Sequence, residues 1–220
     1  MIASKTNLRE RLNAVESADS AQSMLDAVEA LAELENEGAI EMLIRVLGYN
    51  NPGAAVAAVD GLIKIGTPAA SALLNQLDSY NYGARAWALR VLAGIGDPRG
   101  LDLILETAAT DFSLSVRRAA ARGLGAIQWE KLSRDEQRTA QTQTIDTLLK
   151  VITDDPEWVV RYGAVVGLQG IAVTAMTAGF MDLLVPIVGG LRECATQDDT
   201  LAVQARAQWA IAQFPARTFD

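Results

Sequence analysis

An all-α solenoid of stacked helix pairs is the fold this sequence predicts, on three observations. Apolar residues make up 50% of the 220-residue chain and aromatic residues only 5%, so Ala, Leu and Val carry the apolar share. Helices whose backbones approach closely need that composition. Apolar trios spaced three apart recur along the chain, each on one helical face: Val28/Leu31/Leu34, Val59/Leu62/Ile65, Leu89/Leu92/Ile95, Ala121/Leu124/Ile127, Val165/Leu168/Ile171 and, more weakly, Gln208/Ile211/Phe214. The chain also repeats itself: Asn51-Pro52-Gly53-Ala54 falls on Asn81-Tyr82-Gly83-Ala84, and Gly66 and Pro68 fall on Gly96 and Pro98, a period of 30 residues. Self-similarity at that period marks about five to six stacked pairs.

The elements follow in order. A charged cap helix runs over 5–15, within a cap segment 1–19, and each apolar trio lies on the first helix of a pair. Second helices are expected over 39–47, 69–77, 99–107, 144–152 and 180–194. Between first and second helices stand Gly66-Thr67-Pro68 and Gly96-Asp97-Pro98. There Gly takes the left-handed helix end, Thr or Asp caps, and Pro opens the next helix. The polar stretch 129–144 reads as an insertion that lengthens the later repeats, and 201–220 as a C-terminal cap. One such helix cannot bury its apolar face alone, so pairs stack on pairs in a single HEAT-like, armadillo-type α-α superhelix over 1–220.

Charge and chemistry exclude several functions. A net charge of −8 argues against a nucleic-acid binder, which needs a basic stripe to displace counterions from phosphate. The segment 1–14 alternates charged and apolar residues, unlike a secretory signal, and no stretch is expected to reach membrane-spanning length. The apolar window 163–190 is broken by Gln169, Thr174, Thr177, Asp182 and Pro186, and reads as a buried helix pair. The lone Cys194 cannot form an internal disulfide, and the chain has no His. A metal-free protein of a reducing cytoplasm is expected.

Gly94-Ile95-Gly96-Asp97-Pro98-Arg99-Gly100 has the look of a phosphate-binding glycine loop, but it follows a helix and repeats Ile65-Gly66-Thr67-Pro68, so it reads as a helix-hairpin turn. Arg85, Arg117 and Arg161 recur in first helices six or seven residues after Asp78, Asp111 and Asp155, as expected of an inter-repeat ladder. Arg90, Arg118 and Arg122 lie off that ladder and are better placed to grip a ligand's carboxylates. Tyr49, Tyr80, Tyr82 and Trp87 gather near the starts of two adjacent first helices. Trp158 and Tyr162 hold a similar place one repeat beyond Trp129, offering flat walls to a conjugated ligand. Cys194 reads as an inert buried thiol, and Asp154/Asp155 and Asp198/Asp199 as solvated turn and capping residues.

The run from Gly48 to Val59, followed by Tyr80-Asn81-Tyr82-Gly83-Ala84-Arg85-Ala86-Trp87-Ala88 and by Gly94 to Gly100, resembles the E/F-type phycobilin lyases, nearest to their F-type subunits. The resemblance is strongest over 39–129 and continues through the later repeats. It implies a cytoplasmic subunit that pairs with an E-type partner and binds phycocyanobilin. The pair then directs thioether formation between a cysteine of the phycocyanin α subunit and the bilin's ethylidene group, a transfer the family also runs in reverse. The bilin is then a substrate, and no cofactor is expected. A relative that isomerises its bilin carries an adjacent His-Cys pair, which this His-free chain lacks, so attachment without isomerisation is implied.

Such a ligand wants arginines for its two propionates, a carboxylate or phenol for its pyrrole N–H groups, and aromatic walls for its rings. Tyr82, Arg85, Trp87, Arg90, Asp60 and Tyr162 are the candidates, with no catalytic residue assigned. A phycobilisome-degradation factor and a plain HEAT adaptor are the alternatives on the same scaffold. A solitary subunit would expose a long apolar-edged face, so a heterodimer is expected.

Overall fold

The computed structural model describes residues 2–76 and 82–214, with side chains over 7–75 and 84–214. Among these residues every regular element is helical. The α-helices are α1 (Ile2–Ser17), α2 (Ala21–Ala32), α3 (Ile40–Val46), α4 (Pro52–Ile65), α5 (Thr67–Gln76), α6 (Tyr82–Ile95), α7 (Leu101–Thr110), α8 (Leu114–Gly123), α9 (Arg134–Asp154), α10 (Trp158–Ala178), α11 (Leu184–Gln197) and α12 (Leu201–Ala212). Short 3-10 turns lead into α3, α7 and α11. The helices fall into two compact units, Met1–Ile95 and Gly96–Asp220, with the boundary inside the Ile95-Gly96-Asp97 turn.

In the first unit α2, α4 and α6 lie side by side, and α3 and α5 pack behind them. The apolar trios supply that seam: Val28, Leu31, Leu62 and Leu92 are buried, as are Leu43 and Leu73 of the second layer. Burying each such side chain stabilises by about 1.5–3 kcal/mol before entropy is counted. Asn51 sets the repeat frame. Its Oδ1 accepts from the Ala54 N–H at 3.1 Å, capping α4, while its Nδ2 donates to the Ala21 carbonyl 30 residues earlier, at the start of α2. Pro52 then opens α4, and Gly66 ends it at φ +78°. α5 begins at Thr67 itself, so Thr67 is the first helical residue and not the one before it.

In the second unit α8, α10 and α12 form one layer and α7, α9 and α11 the other. α10 is the central element, packing against α8, α9, α11 and α12. Its Gly167 permits the crossing with α8, since a Cβ there would stand 2.3 Å from the Ala121 carbonyl oxygen. α10 corrects one expectation: it has 21 residues and an 18-residue window of mean hydropathy 1.4, long and apolar enough to cross a membrane, yet 56% of that window is buried inside the fold. It is the core helix of this unit.

The polar stretch 129–144 also has a definite structure. Trp129–Lys131 form a 3-10 turn, and Arg134 opens a continuous helix of 21 residues that absorbs the rest and runs on through the second helix expected over 144–152. A capping box starts it: the Ser133 Oγ accepts from the Glu136 N–H, and the Glu136 carboxylate accepts from the Ser133 N–H at 2.9 Å. Further along, Gln141 and Thr144 are buried and Gln141 Nε2 donates to Thr174 Oγ1 of α10 at 3.2 Å.

Candidate functional site

Three arginines occupy one register of the repeat, and the structure gives two of them a complete set of partners. Arg117 of α8 donates from Nε and Nη2 to the Asp155 carboxylate at 2.7 and 3.1 Å and from Nη1 to the Asp111 carbonyl at 2.8 Å. Arg161 of α10 repeats the pattern one pair later, with Asp198 at 2.8 and 3.1 Å and the Asp155 carbonyl at 2.9 Å. Each guanidinium therefore clamps its own repeat's turn to the next repeat's carboxylate, with hydrogen bonds that hold both arginines further into the protonated range. Asp155 and Asp198 cap their turns as expected, accepting from the Glu157 and Thr200 N–H groups, but their carboxylates are covered and not solvated, with side chains 7% and 3% exposed; Asp154 and Asp199 are the exposed members of the two pairs. Burial alone would push the Asp198 carboxyl up, but Arg161 and the Thr200 N–H outweigh it and hold it below the usual range.

The glycine-rich turn is structural too. Gly96, at φ +69°, accepts from the Gln128 N–H through its carbonyl at 2.9 Å, and a Cβ on it would stand 2.3 Å from the Ala126 oxygen. Asp97 caps the turn through the Arg99 N–H and takes the Arg99 side chain at 2.9 and 2.8 Å. Those bonds, against the opposing effect of burial, hold its carboxyl low. The geometry leaves no phosphate cradle there. Cys194 is buried, and burial, with the Asp198 charge adding, pushes its thiol up to about 11.

Five of the six ligand candidates belong to the first unit. Asp60 is exposed on α4, and Arg85, Trp87 and Arg90 are partly exposed on the adjacent α6. Asp60 and Arg90 share one register position, since a full period separates them. The Arg90 guanidinium lies 4.4 Å over the Trp87 ring. Trp87 and Tyr49, the latter 41% exposed, line one groove of about 290 Å³ with Asn50, Asn51 and Ala84. Tyr82 opens α6, its side chain outside the described residues, as are Tyr80 and Asp78, the ladder partner expected for Arg85.

Tyr162, the sixth candidate, lies on α10 of the second unit. Trp158, 45% exposed, opens the same helix. Trp129 is 2% exposed, with its indole Nε1 buried and unbonded, so it is core and offers no wall to a ligand. Arg118 and Arg122 are exposed on α8.

Sequence reasoning passed over Arg206, because α12 reads as a terminal cap. Its guanidinium lies 4.6 Å from the Trp209 ring centre and 5.9 Å from that of Tyr162, and its Nη2 donates to Gln169 Oε1 at 2.5 Å. The available signal was the spacing of Arg206 and Trp209, three apart on one helical face and off the Asp ladder.

The helix pairs and their turns define a HEAT-repeat protein: residues 70–169 match the family model for HEAT repeats. Over most of its length the chain is also similar in fold to a designed armadillo repeat protein, at a TM-score of 0.51, 17% identity and 93% coverage of this chain and 98% of that one. Closer relatives narrow the class. The chain is 52% identical over 200 residues to the phycocyanin alpha phycocyanobilin lyase CpcF of Synechocystis, 91% of each chain. It is 52% identical to the phycobilisome maturation protein of Synechococcus elongatus, over 91% of this chain and 95% of that one. It also aligns with a chain in the solved complex of CpcE and CpcF of phycocyanin lyase from Nostoc, at a TM-score of 0.71 and 46% identity, over 80% of this chain and 99% of that one. The chain belongs to the CpcF-type family of phycobilin lyase subunits.

Proposed function

We propose that this chain is the F-type subunit of a heterodimeric phycobilin lyase that works with an E-type HEAT-like partner. Together they bind phycocyanobilin and direct its thioether attachment to a cysteine of the phycocyanin α subunit. The observation that carries this is the 46–52% identity, over nine-tenths of the chain, to relatives that bear the lyase name.

In the reaction the acceptor S–H adds across the ethylidene double bond: a C–S bond forms, the π bond is consumed, and the thiol proton ends on the adjacent ring carbon. No electrons are gained or lost overall and nothing leaves, so the same path reversed detaches the bilin. The nucleophile belongs to the acceptor protein. That assignment suits a chain without His whose one thiol is buried and held at about 11, where little thiolate exists at neutral pH.

What remains for the lyase is to hold a flexible, reactive tetrapyrrole in one conformation beside the acceptor thiol, which can supply a large share of the rate by orientation alone. In this reading the first unit's Arg85 and Arg90 serve the propionates, Asp60 and Tyr82 the pyrrole N–H groups and Trp87 a ring face, with Tyr162 a separate aromatic candidate on the second unit. Leu114, Trp158 and Leu201, at the first positions of α8, α10 and α12 and 42%, 45% and 79% exposed, are surface for the second subunit to cover. The bilin is the substrate, no further cofactor or metal takes part, and the complex works in the cytoplasm, where its acceptor thiol stays reduced.

The test is co-production of this chain with an E-type partner, phycocyanobilin and the phycocyanin α subunit, followed by denaturing electrophoresis scored for covalent bilin fluorescence. A fluorescent α band that requires both subunits is expected. An equal band without this chain sinks the reading in favour of a degradation factor or adaptor.

A further inference from the structure

The groove shared by Tyr49 and Trp87 lies at the turn between α3 and α4, and local bonds hold that turn in place. The Tyr49 N–H donates to the Val46 carbonyl at 3.0 Å, and the Asn51 amide has both ends engaged, one capping α4 and the other on the Ala21 carbonyl. Two features limit what can enter. At about 290 Å³ the groove falls just short of the roughly 300–1,000 Å³ that takes a whole drug-sized ligand, so it admits one end of a tetrapyrrole and not its length. No residue that lines it is charged. Its available polar groups are the phenol of Tyr49 and the amide of Asn50, both on exposed residues and neither in a hydrogen bond among the described residues.

A linear tetrapyrrole offers two kinds of ring. The inner pair carry the propionates, and a carboxylate pressed into an uncharged groove would lose its water with no cation to replace it. The outer pair are neutral lactams, each with one C=O and one N–H, which a phenol and a side-chain amide can meet as donor and acceptor. One outer ring bears the ethylidene group and has to stay open to the acceptor thiol. We propose that the groove seats the other outer ring, the terminal lactam far from the reacting bond, against Tyr49 and Trp87 with Asn50 at its polar edge. The inference rests on the lyase reading above and adds Tyr49 and Asn50 to it as the residues that decide which way round the bilin is held, and so which ring faces the acceptor. The propionate of the adjoining inner ring then falls on the side of Arg90, whose guanidinium lies 4.4 Å over the Trp87 ring.

The purified heterodimer of this chain and its E-type partner is titrated, by absorbance, with phycocyanobilin and with its dipropionate dimethyl ester, and transfer to the phycocyanin α subunit is followed over a range of bilin concentrations. Tyr49→Ala weakens both ligands by the same factor, about tenfold, because the ring it touches carries no acid. In the transfer reaction that loss falls on the KM for bilin and much less on kcat, because the ethylidene ring lies elsewhere. Asn50→Ala, at an exposed position with no hydrogen bond to lose, shows the same even penalty at a smaller factor and leaves the fold intact. Wild-type affinity in either variant overturns the proposal. So does a penalty confined to the diacid, which would put a propionate in the groove, or a loss carried by kcat with KM kept, which would put the reacting ring there. A wild-type heterodimer that binds neither ligand removes the lyase reading, and this inference with it.

Discussion

Arg161 and Asp198 stand 37 residues apart in the chain, yet Nε of the one lies 2.8 Å from the carboxylate of the other, with 9% and 3% of their side chains exposed. An ion pair so placed is at once a repeat-to-repeat clamp and a liability, because removing one partner strands the other in a poorly hydrated site. Arg161→Ala should therefore lower the unfolding free energy by about 3 kcal/mol, at the low end of the range for buried pairs. Equilibrium urea denaturation measures it. Arg138→Ala, which breaks the solvent-exposed pair with Asp182, should leave the midpoint close to wild type.

The same pair sets an acid limit. Asp198 and Asp97 both titrate below their ordinary value in the fold, so they contribute stability above the unfolded-state pKa of about 3.9 and lose it as pH falls through their lower folded values. The urea midpoint should hold from neutral pH to about pH 4 and then drop. In Asp198→Asn the midpoint should be lower at neutral pH and its acid fall shallower. An equal acid slope in the variant would show that other carboxylates carry the effect.

How far the sequence carried depends on whether a signal was local. Asn51, Pro52 and Gly66 announce the ends of α4 because caps and breakers act on their own neighbours, and the apolar trios place the seam because period alone decides which face is buried. The first turns of α9 carry no apolar period for the opposite reason: polar residues there outnumber apolar ones, and only the Ser133/Glu136 capping box marks the helix start. The covering of the Asp155 and Asp198 carboxylates and the burial of Trp129 are tertiary facts that composition cannot show. Arg206 escaped notice because its singularity is the lack of a carboxylate nearby, and neighbours across helices are invisible in one dimension.

Close packing of α8 on α10 gives a further test. Gly167→Ala would drive a Cβ to 2.3 Å from the Ala121 carbonyl oxygen, a backbone atom that cannot swing aside. Forced separation of the two helices should cost about 1–3 kcal/mol. Gly189→Ala on α11 is the control, since nothing lies within 4 Å of that Cβ. There the lost helix-interior glycine should raise stability by about 0.5–1 kcal/mol. Thermal melts of the two variants should move in opposite directions.

Cys194 should be chemically quiet. With its thiol at about 11, roughly one molecule in a thousand carries the thiolate at pH 8, and the 7% exposed side chain restricts access further. Alkylation by iodoacetamide should be slow in the native protein and become fast in urea. Cys194→Ser should keep bilin attachment to the α subunit, whereas its loss with the fold intact would make the thiol part of the transfer path.

The Arg90 and Trp87 stack separates ligand contact from packing. Both side chains are partly exposed on α6, and Trp87 also faces the groove it shares with Tyr49. A ring held under a guanidinium is worth about 0.5–1 kcal/mol at an exposed site, so Trp87→Leu should lower the melting midpoint by only a few degrees. If the same ring is a wall for the bilin, Trp87→Leu and Arg90→Gln should each weaken bilin binding by the heterodimer roughly tenfold, equivalent to about 1.4 kcal/mol. Binding and melting must be measured on the same preparations. Variants that lose melting temperature and bind bilin normally would return the pair to a packing role, and the ligand contacts of this subunit would then have to be sought on α10 and α12.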